Sequence, residues 1–146
     1  MPMLLYYQRR INAMGTRLAR IIRAAAAEMA IESRSSVDGV QQALASPLAH
    51  STYPMVVLMI HREDELDGFI ENRSWLDGHR VILVLPDSRP SIIAKAHQLF
   101  PRFITYLDRD WSEIAAIVEK WRQSRRPRPQ GITVPPAVLD GDRTLT

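Results

Sequence analysis

The amino-acid sequence predicts a doubly wound α/β domain, and three observations support that prediction. Two short, continuous apolar runs, at 55–60 and 81–85, are rich in β-branched residues and are predicted to be strands covered on both faces. Segments with a helical period separate these runs from three further short apolar segments. Strand and helix thus alternate five times with short connections, a pattern that requires parallel strands, right-handed crossovers and helices on both faces of the sheet.

Composition sets the bounds on domain number and class. A chain of 146 residues fits one domain with a single core. Its hydrophobic fraction of 46% and charged fraction of 24% are ordinary for a soluble globular protein, and no window approaches the ~18 apolar residues of a membrane span. The absence of cysteine excludes disulfides, thiolate catalysis and cysteine-ligated zinc. We expect a cytoplasmic protein with no membrane partner.

The first two units cover the N-terminal third of the chain. A strand is predicted over 3–7 and a second, short strand over 29–31. Ser35 or Ser36 is predicted to cap the second helix, which Pro47 ends. The first helix has its apolar positions at intervals of three and four and its arginines on the opposite side: Ile11, Met14, Leu18, Ile21, Ile22 and Ala25 against Arg17, Arg20 and Arg23.

The other three units follow the same plan. The third helix is predicted to begin at residues 63–65, where an acidic first turn suits the positive end of a helix dipole. The strand over 80–85 is followed by a loop, and Pro90 is predicted to start the fourth helix. The fifth strand covers 103–107, and Asp110 is predicted to cap the last helix. The apolar stripes of the three helices are Leu66, Phe69, Ile70 and Trp75, then Ile92, Ile93, Ala96 and Leu99, then Ile114, Ile117, Val118 and Trp121.

Five parallel strands of this kind favour the sheet order 2-1-3-4-5, with a ligand crevice beyond the carboxyl ends of strands 1 and 3. The residues predicted at that edge are mostly charged or polar: Gln8, Arg9, Arg10, His61, Arg62, Glu63, Pro86, Asp87 and Asp108.

Residues 123–146 change in character. This segment is rich in proline and has no helical period, so the chain divides into a domain over 1–122 and an extended tail over 123–146. Several arginines crowd at the start of the tail, at Arg122, Arg125, Arg126 and Arg128. We expect no nucleic-acid partner for the folded part, because the rest of the chain is close to charge balance, and the basic tail is the one segment where such binding stays open.

Two short motifs connect this plan to a known family. Leu66-Asp67-Gly68 lies in the third helix, and Tyr106 precedes Arg109 by three residues at the end of the fifth strand. With the order of the five units, these motifs resemble the receiver domain of bacterial response regulators, the signalling domain of two-component systems, over roughly residues 3–122. The resemblance implies a flavodoxin-like, receiver-like fold.

The chain departs from the family at its functional positions. Counting back seven residues from Asp67 gives Ile60, where receivers carry the phosphorylated aspartate. Gln8 and Arg9 occupy the positions of the acidic pair that holds magnesium in receivers. Pro86 occupies the position of a threonine or serine, and Arg109 that of a lysine. Phosphorylation of an aspartate needs a carboxylate nucleophile and a divalent cation held by oxygen ligands, so receiver-type chemistry is not expected.

The resemblance therefore implies a degenerate receiver, or pseudo-receiver: a stand-alone signal-transduction domain that acts by protein-protein interaction without aspartyl phosphorylation. We expect no catalytic residues, no metal and no cofactor. In receivers the surface of the fourth helix, fifth strand and fifth helix mediates dimerisation. The resemblance implies a homodimer through that face, here formed by Lys95, Gln98, Arg102, Tyr106 and Glu119.

One alternative function remains open. Arg9, Arg62 and Arg109 follow the carboxyl ends of strands, where they could hold a small anion or a nucleotide. The competing interpretation, which we favour, is that the arginines pair with acids on the same edge, namely Glu63, Asp64, Asp87, Asp108 and Asp110. The segment 8–15 holds one glycine, so a glycine-rich phosphate cradle is absent. No two histidines have the i, i+4 spacing of a helical metal site.

Overall fold

The computed structural model describes residues 3–9, 13–26 and 29–124. Its elements alternate as the sequence predicts. The strands are β1 (Met3–Gln8), β2 (Ala30–Arg34), β3 (Met55–Met59), β4 (Arg80–Leu85) and β5 (Phe103–Tyr106). The helices are α1 (Ala13–Ala26), α2 (Val37–Leu44), α3 (Ala49–Thr52), α4 (Glu63–Glu71), α5 (Pro90–His97) and α6 (Ser112–Ser124), with a 3-10 helix at Arg73–Leu76.

The five strands form one parallel sheet in the order β2-β1-β3-β4-β5, which confirms the predicted fold class and strand order. The central strands β1, β3 and β4 are buried along nearly their whole length. Such strands carry continuous apolar runs because both faces of a parallel sheet are covered by helices. The edges of the sheet are β2 and β5.

Two apolar layers fill the space between sheet and helices. Alternate residues of each strand face opposite sides, so Leu5 and Tyr7 belong to one layer and Leu4 and Tyr6 to the other. The layer with Tyr7 is covered by α2, α3, α4 and α5, and the layer with Tyr6 by α1 and α6. The guanidinium Nε of Arg122 on α6 donates to the C-terminal carbonyl of Ala25 on α1 over 3.3 Å.

Local signals set several helix starts where they were predicted. Ser36 is the N-cap of α2, and its hydroxyl accepts from the amide of Gly39 over 2.9 Å. Pro90 occupies the first turn of α5. Asp110 accepts from both the amide and the hydroxyl of Ser112 at the start of α6, and these hydrogen bonds hold the pKa of Asp110 below its ordinary value.

Some predicted boundaries were wrong. The second strand covers Ala30–Arg34 instead of 29–31, because it pairs along the whole of β1 up to Tyr7. The short helix α3 was not foreseen. Trp75 was predicted in the buried stripe of the third helix, but it lies in the 3-10 helix after α4 and is 41% exposed. Ile11, predicted in the first helix, lies outside the described residues, as do Arg10 and the predicted tail beyond Ser124.

Within the described ranges, no helix has the length and apolarity needed to cross a bilayer.

Candidate functional site

The carboxyl ends of the strands form the candidate site. The registers align Gln8 with Met59 and Met59 with Val84, and they align Leu85 with Tyr106 at the β5 end. The five positions predicted to differ from receivers therefore follow the same edge of the sheet, in the spatial order Gln8 and Arg9, Ile60, Pro86, then Arg109, with the matching aromatic Tyr106 at the end of β5.

Ile60, which is predicted to occupy the phosphoacceptor position, follows β3 and has 0% of its surface exposed. Its amide donates to the carbonyl of Val84 over 2.8 Å, and its side chain packs in the layer that contains Leu58 and Leu66. An isoleucine side chain has neither a nucleophile nor an oxygen ligand. The tip of β3 is therefore a part of the core.

A buried acidic side chain, Glu65, lies close to this tip, because it binds the amide of the next residue, His61. Only 3% of its surface is exposed. One carboxylate oxygen accepts from the amides of His61 and Arg62, over 2.7 and 2.9 Å. The other accepts from the hydroxyl of Tyr7 over 2.5 Å. The carboxylate thus caps the first turn of α4 and ties that helix to β1.

The surroundings of Tyr7 change the pKa of its phenol. Burial and the hydrogen bond to Glu65 raise the pKa of the Tyr7 phenol well above its ordinary value. The sequence analysis did not single out Glu65. Its position three residues after Arg62 at a predicted helix start was the available signal, but Arg62 has no acceptor that would complete a capping box.

Gln8 fills the space beside α1 on the other side of β1. A Cβ atom at Gly15 would lie 1.5 Å from the side-chain oxygen of Gln8, so the Gln8 side chain occupies space that any residue other than glycine would need. The hydroxyl of Tyr6 donates to that same Gln8 oxygen over 3.1 Å. Burial raises the pKa of the Tyr6 phenol well above its ordinary value. Gln8, one of the two residues predicted to occupy magnesium-ligand positions, is thus a neutral side chain that packs against α1.

The three arginines of the predicted anion site do not converge. Arg9 and Arg62 both face Asp64, at 3.9 and 3.4 Å. Arg109 lies at the β5 end of the sheet, two strands beyond β3, where it pairs with Asp108 at 3.8 Å and covers the ring of Tyr106 at 5.4 Å. A crevice of about 240 Å³ is lined by Tyr7, Arg9, Asp64 and Glu65 together with the start of α2. It contains acids and bases side by side.

Other charged groups on this edge are paired as well. The Nε of Arg89 donates to both carboxylate oxygens of Asp87, at 3.0 and 3.1 Å. These hydrogen bonds hold the pKa of Asp87 below its ordinary value. Lys95 on α5 binds Glu63 at 2.7 Å and Asp67 at 2.9 Å, so it joins α5 to α4. In the described part of the chain, no group of three or more His, Cys, Asp or Glu side chains could hold a metal ion.

The predicted dimer face lies at the β5 edge. Gln98, Arg102 and Glu119 are exposed there, and Tyr106 is half-buried beneath Arg109. Phe100, which the sequence analysis did not single out, lies between Gln98 and Arg102 in the chain and is 79% exposed. Its φ of 50° is in the left-handed region, which bulky residues seldom adopt.

Fold and edge together define a class: a five-stranded doubly wound domain with the CheY-like receiver fold. A CheY-like receiver domain protein from Methanospirillum hungatei JF-1 is similar, with a TM-score of 0.65, 6% identity, and coverage of 85% of this chain and 95% of that one. A receiver domain from Rhodospirillum rubrum has a TM-score of 0.56 and 12% identity, over 86% of this chain and 96% of that one.

A pilus assembly-related protein from Burkholderia pseudomallei K96243 has the same fold, with a TM-score of 0.63 and 12% identity over 88% of this chain and 95% of that one. No protein-family model matches the sequence. No curated protein matches it either. At these sequence identities, the similarity shows a shared fold and nothing beyond it.

Proposed function

We propose that this chain is a degenerate receiver-type module that transmits signals through protein contacts and takes no phosphoryl group. The observation that carries the proposal is the wholly buried Ile60 at the tip of β3, where receivers hold the acceptor aspartate. The receiver fold of the chain supports a role in signal transduction, and we assign it no catalytic activity.

The chemistry of phosphoryl transfer supports the first half of the proposal. An acceptor carboxylate must be free to attack, and a divalent cation must neutralise the charge that develops. Glu65, the buried carboxylate beside the tip, already accepts three hydrogen bonds, from Tyr7, His61 and Arg62. Arg9 brings positive charge to the place where a receiver would hold magnesium, which disfavours a cation there.

The β5 edge supports the second half. Exposed aromatic side chains are common anchors of protein interfaces, and Phe100 is exposed just before β5, while Tyr106 is half-buried at the other end of that strand. Lys95 is bound to Glu63 and Asp67 and contributes chiefly to the domain itself. We therefore propose a homodimer through Gln98, Phe100, Arg102, Tyr106 and Glu119.

Sedimentation velocity at rising concentration tests the interface. We expect a reversible dimer in the wild type and a monomer in Phe100→Asp, because a charge replaces the apolar anchor. The matched control is Leu48→Asp, which changes an exposed leucine on the loop before α3 and should leave the dimer intact. Acetyl phosphate with Mg²⁺ should not alter the distribution. A wild type that stays monomeric at high micromolar concentration would contradict the dimer.

The alternative, an anion sensor built from Arg9, Arg62 and Arg109, has weaker support. Two of these arginines face the same carboxylate, and the third is paired at the other end of the sheet. An anion in the crevice would have to displace these carboxylates. Ion pairing is thus the better account of this set of arginines.

A further inference from the structure

A second cleft opens on the opposite face of β1. It has a volume of about 550 Å³ and lies between α1 and the carboxyl end of β2, with Tyr6 and Ala19 among its lining residues. Its polar side chains come from one stripe of α1 and from the carboxyl ends of β1 and β2: Thr16, Arg20 and Arg23, then Gln8, then Ser33, Arg34 and Ser35. We refer to it as the basic cleft.

The charges that the described residues bring to the basic cleft are of one sign. Of residues 3–9, 13–26 and 29–124, three arginines line it and no acidic side chain does. Arg34 pairs with Glu32 beside the cleft. Neither Arg20 nor Arg23 has a salt bridge to any of the described residues, 3–9, 13–26 and 29–124. Because these two lie three residues apart on one helix face, they repel each other.

The third arginine on the described part of α1, Arg17, lies on a different side of the helix. Arg17 covers the ring of Trp111 at 4.8 Å, on the side of α1 that meets α6. Arg20 and Arg23 instead line the cleft toward β2. These two arginines thus share the lining of a partly apolar cleft with serine and threonine hydroxyl groups, and none of the described residues contributes a carboxylate to that lining.

We propose that the basic cleft binds a small phosphorylated molecule. Guanidinium groups present planar, paired donors that match phosphate oxygens, and serine and threonine hydroxyls add further donors. The volume falls in the range of about 300–1,000 Å³ that is typical of small-molecule sites. The phosphate would lie between Arg20 and Arg23, and the body of the ligand would lie over Tyr6 and Ala19. This site goes beyond the proposed signalling function and does not depend on it.

Titration calorimetry of the full chain tests the site, with inorganic pyrophosphate and ADP as separate probes. Pyrophosphate carries the recognised group alone, and ADP adds a body that could reach the floor. We expect saturable binding by the wild type with a dissociation constant below about 1 mM. The variant Arg20→Ala/Arg23→Ala should bind about tenfold more weakly or worse, because charge-assisted hydrogen bonds are lost.

Two control variants locate the binding. Arg73→Ala/Lys120→Ala removes the same charge from exposed positions outside the cleft and should bind like the wild type. Arg9→Ala/Arg62→Ala changes the crevice instead and should also bind like the wild type. Thermal unfolding of each variant confirms that it is folded, which is expected because Arg20 and Arg23 are exposed.

Three results would overturn the proposal: no saturable binding of either probe below about 1 mM, equal weakening in the Arg73→Ala/Lys120→Ala control, or loss of binding in Arg9→Ala/Arg62→Ala alone. The last result would move the anion to the crevice and revive the alternative function. Failure of the wild type to dimerise would leave this proposal intact, so the two proposals can fail separately.

Discussion

The crevice and the basic cleft lie on opposite faces of the same strand, and their charges are handled differently. In the crevice, Arg9 faces Asp64, and the buried Glu65 is satisfied by Tyr7 and two amides. In the basic cleft, Arg20 and Arg23 share the lining with serine and threonine hydroxyl groups, and no acid from the described part of the chain lines it. Successive residues of β1 point to opposite faces, so one strand end serves two sites of different character.

The charged groups of the crevice are paired within the protein, whereas the arginines of the basic cleft are available to a ligand. A buried carboxylate with all its partners in place stabilises the fold, and its partners leave little capacity for an incoming group. Arginines that share a cleft without a counter-charge raise the local potential and attract anions. The predictions below test whether the crevice is indeed structural and the cleft available.

The largest effect is expected at Glu65. Glu65→Leu removes the acceptor for three donors, the buried Tyr7 hydroxyl and two partly buried amides, and it should lower the free energy of unfolding by about 3 kcal/mol. Glu65→Gln keeps a carbonyl for the two amides and should lose less. Urea unfolding measures both, with the exposed Glu71→Leu on the same helix as a control that should change within about 0.5 kcal/mol. A Glu65→Leu loss no larger than that of the control would mean that the crevice is not a structural site.

Tyr7→Phe should have the next largest effect, about 1–2 kcal/mol at neutral pH, since Glu65 loses its hydroxyl donor. The pKa of Tyr7 is raised in the folded state, so the folded state holds the phenol proton more tightly than the unfolded state does. This stabilisation is fully present below the ordinary pKa of 10.0 and is lost as the pH rises above it.

Urea unfolding across the alkaline range measures this pH dependence. The wild type should lose stability above pH 10.0 more steeply than Tyr7→Phe. Tyr106→Phe, at the far end of the sheet edge, is the control and should follow the wild type. Parallel curves for the wild type and Tyr7→Phe would argue against the contact with Glu65.

Gly15→Ala tests the packing of Gln8 against α1 beside the basic cleft. Alanine in a helix interior is favoured over glycine by about 1 kcal/mol, but here the new Cβ meets the side chain of Gln8. The substitution should therefore stabilise the protein in a Gln8→Ala background and help little, or destabilise, in the wild type. A double-mutant cycle should give a coupling of about 1 kcal/mol. Equal effects in both backgrounds would show that Gln8 does not occupy that space.

The smallest changes in stability are expected for the two double arginine variants, and these changes should differ in direction. Arg9→Ala/Arg62→Ala removes exposed ion pairs and should destabilise by a few tenths of a kcal/mol, less in high salt. Arg20→Ala/Arg23→Ala removes a repulsion and should be neutral or slightly stabilising. Thermal unfolding at low and high salt compares them. If the cleft variant destabilises the protein more than the crevice variant does, Arg20 and Arg23 have structural partners. The contrast between an available cleft and a structural crevice would then fail.

Much of the fold could be predicted because local signals and long-range pattern agree. Apolar runs gave the central strands, and Ser36 and Pro90 marked helix starts that the structure confirms. The strand order followed from the alternation of strands and helices, and it too is confirmed.

The details of the site were harder to predict. The partners of Glu65 come from β1 and from the turn before α4, so they depend on packing across the sheet. Arg20 and Arg23 were placed correctly on the polar side of a helix, but the sequence does not tell that β2 leaves an open cleft beside them. Exposure of Phe100 depends equally on tertiary structure, since a lone phenylalanine in a sequence is more often buried.

The most direct test of the central claim is intact mass after incubation of the full chain with acetyl phosphate and Mg²⁺, with an aspartate-bearing receiver as positive control. The account predicts that the control gains one phosphoryl group while this chain keeps its mass, because Ile60 has no carboxylate and Glu65 is engaged. A stable gain of one phosphoryl group, mapped to an acid at the carboxyl edge of the sheet, would contradict it.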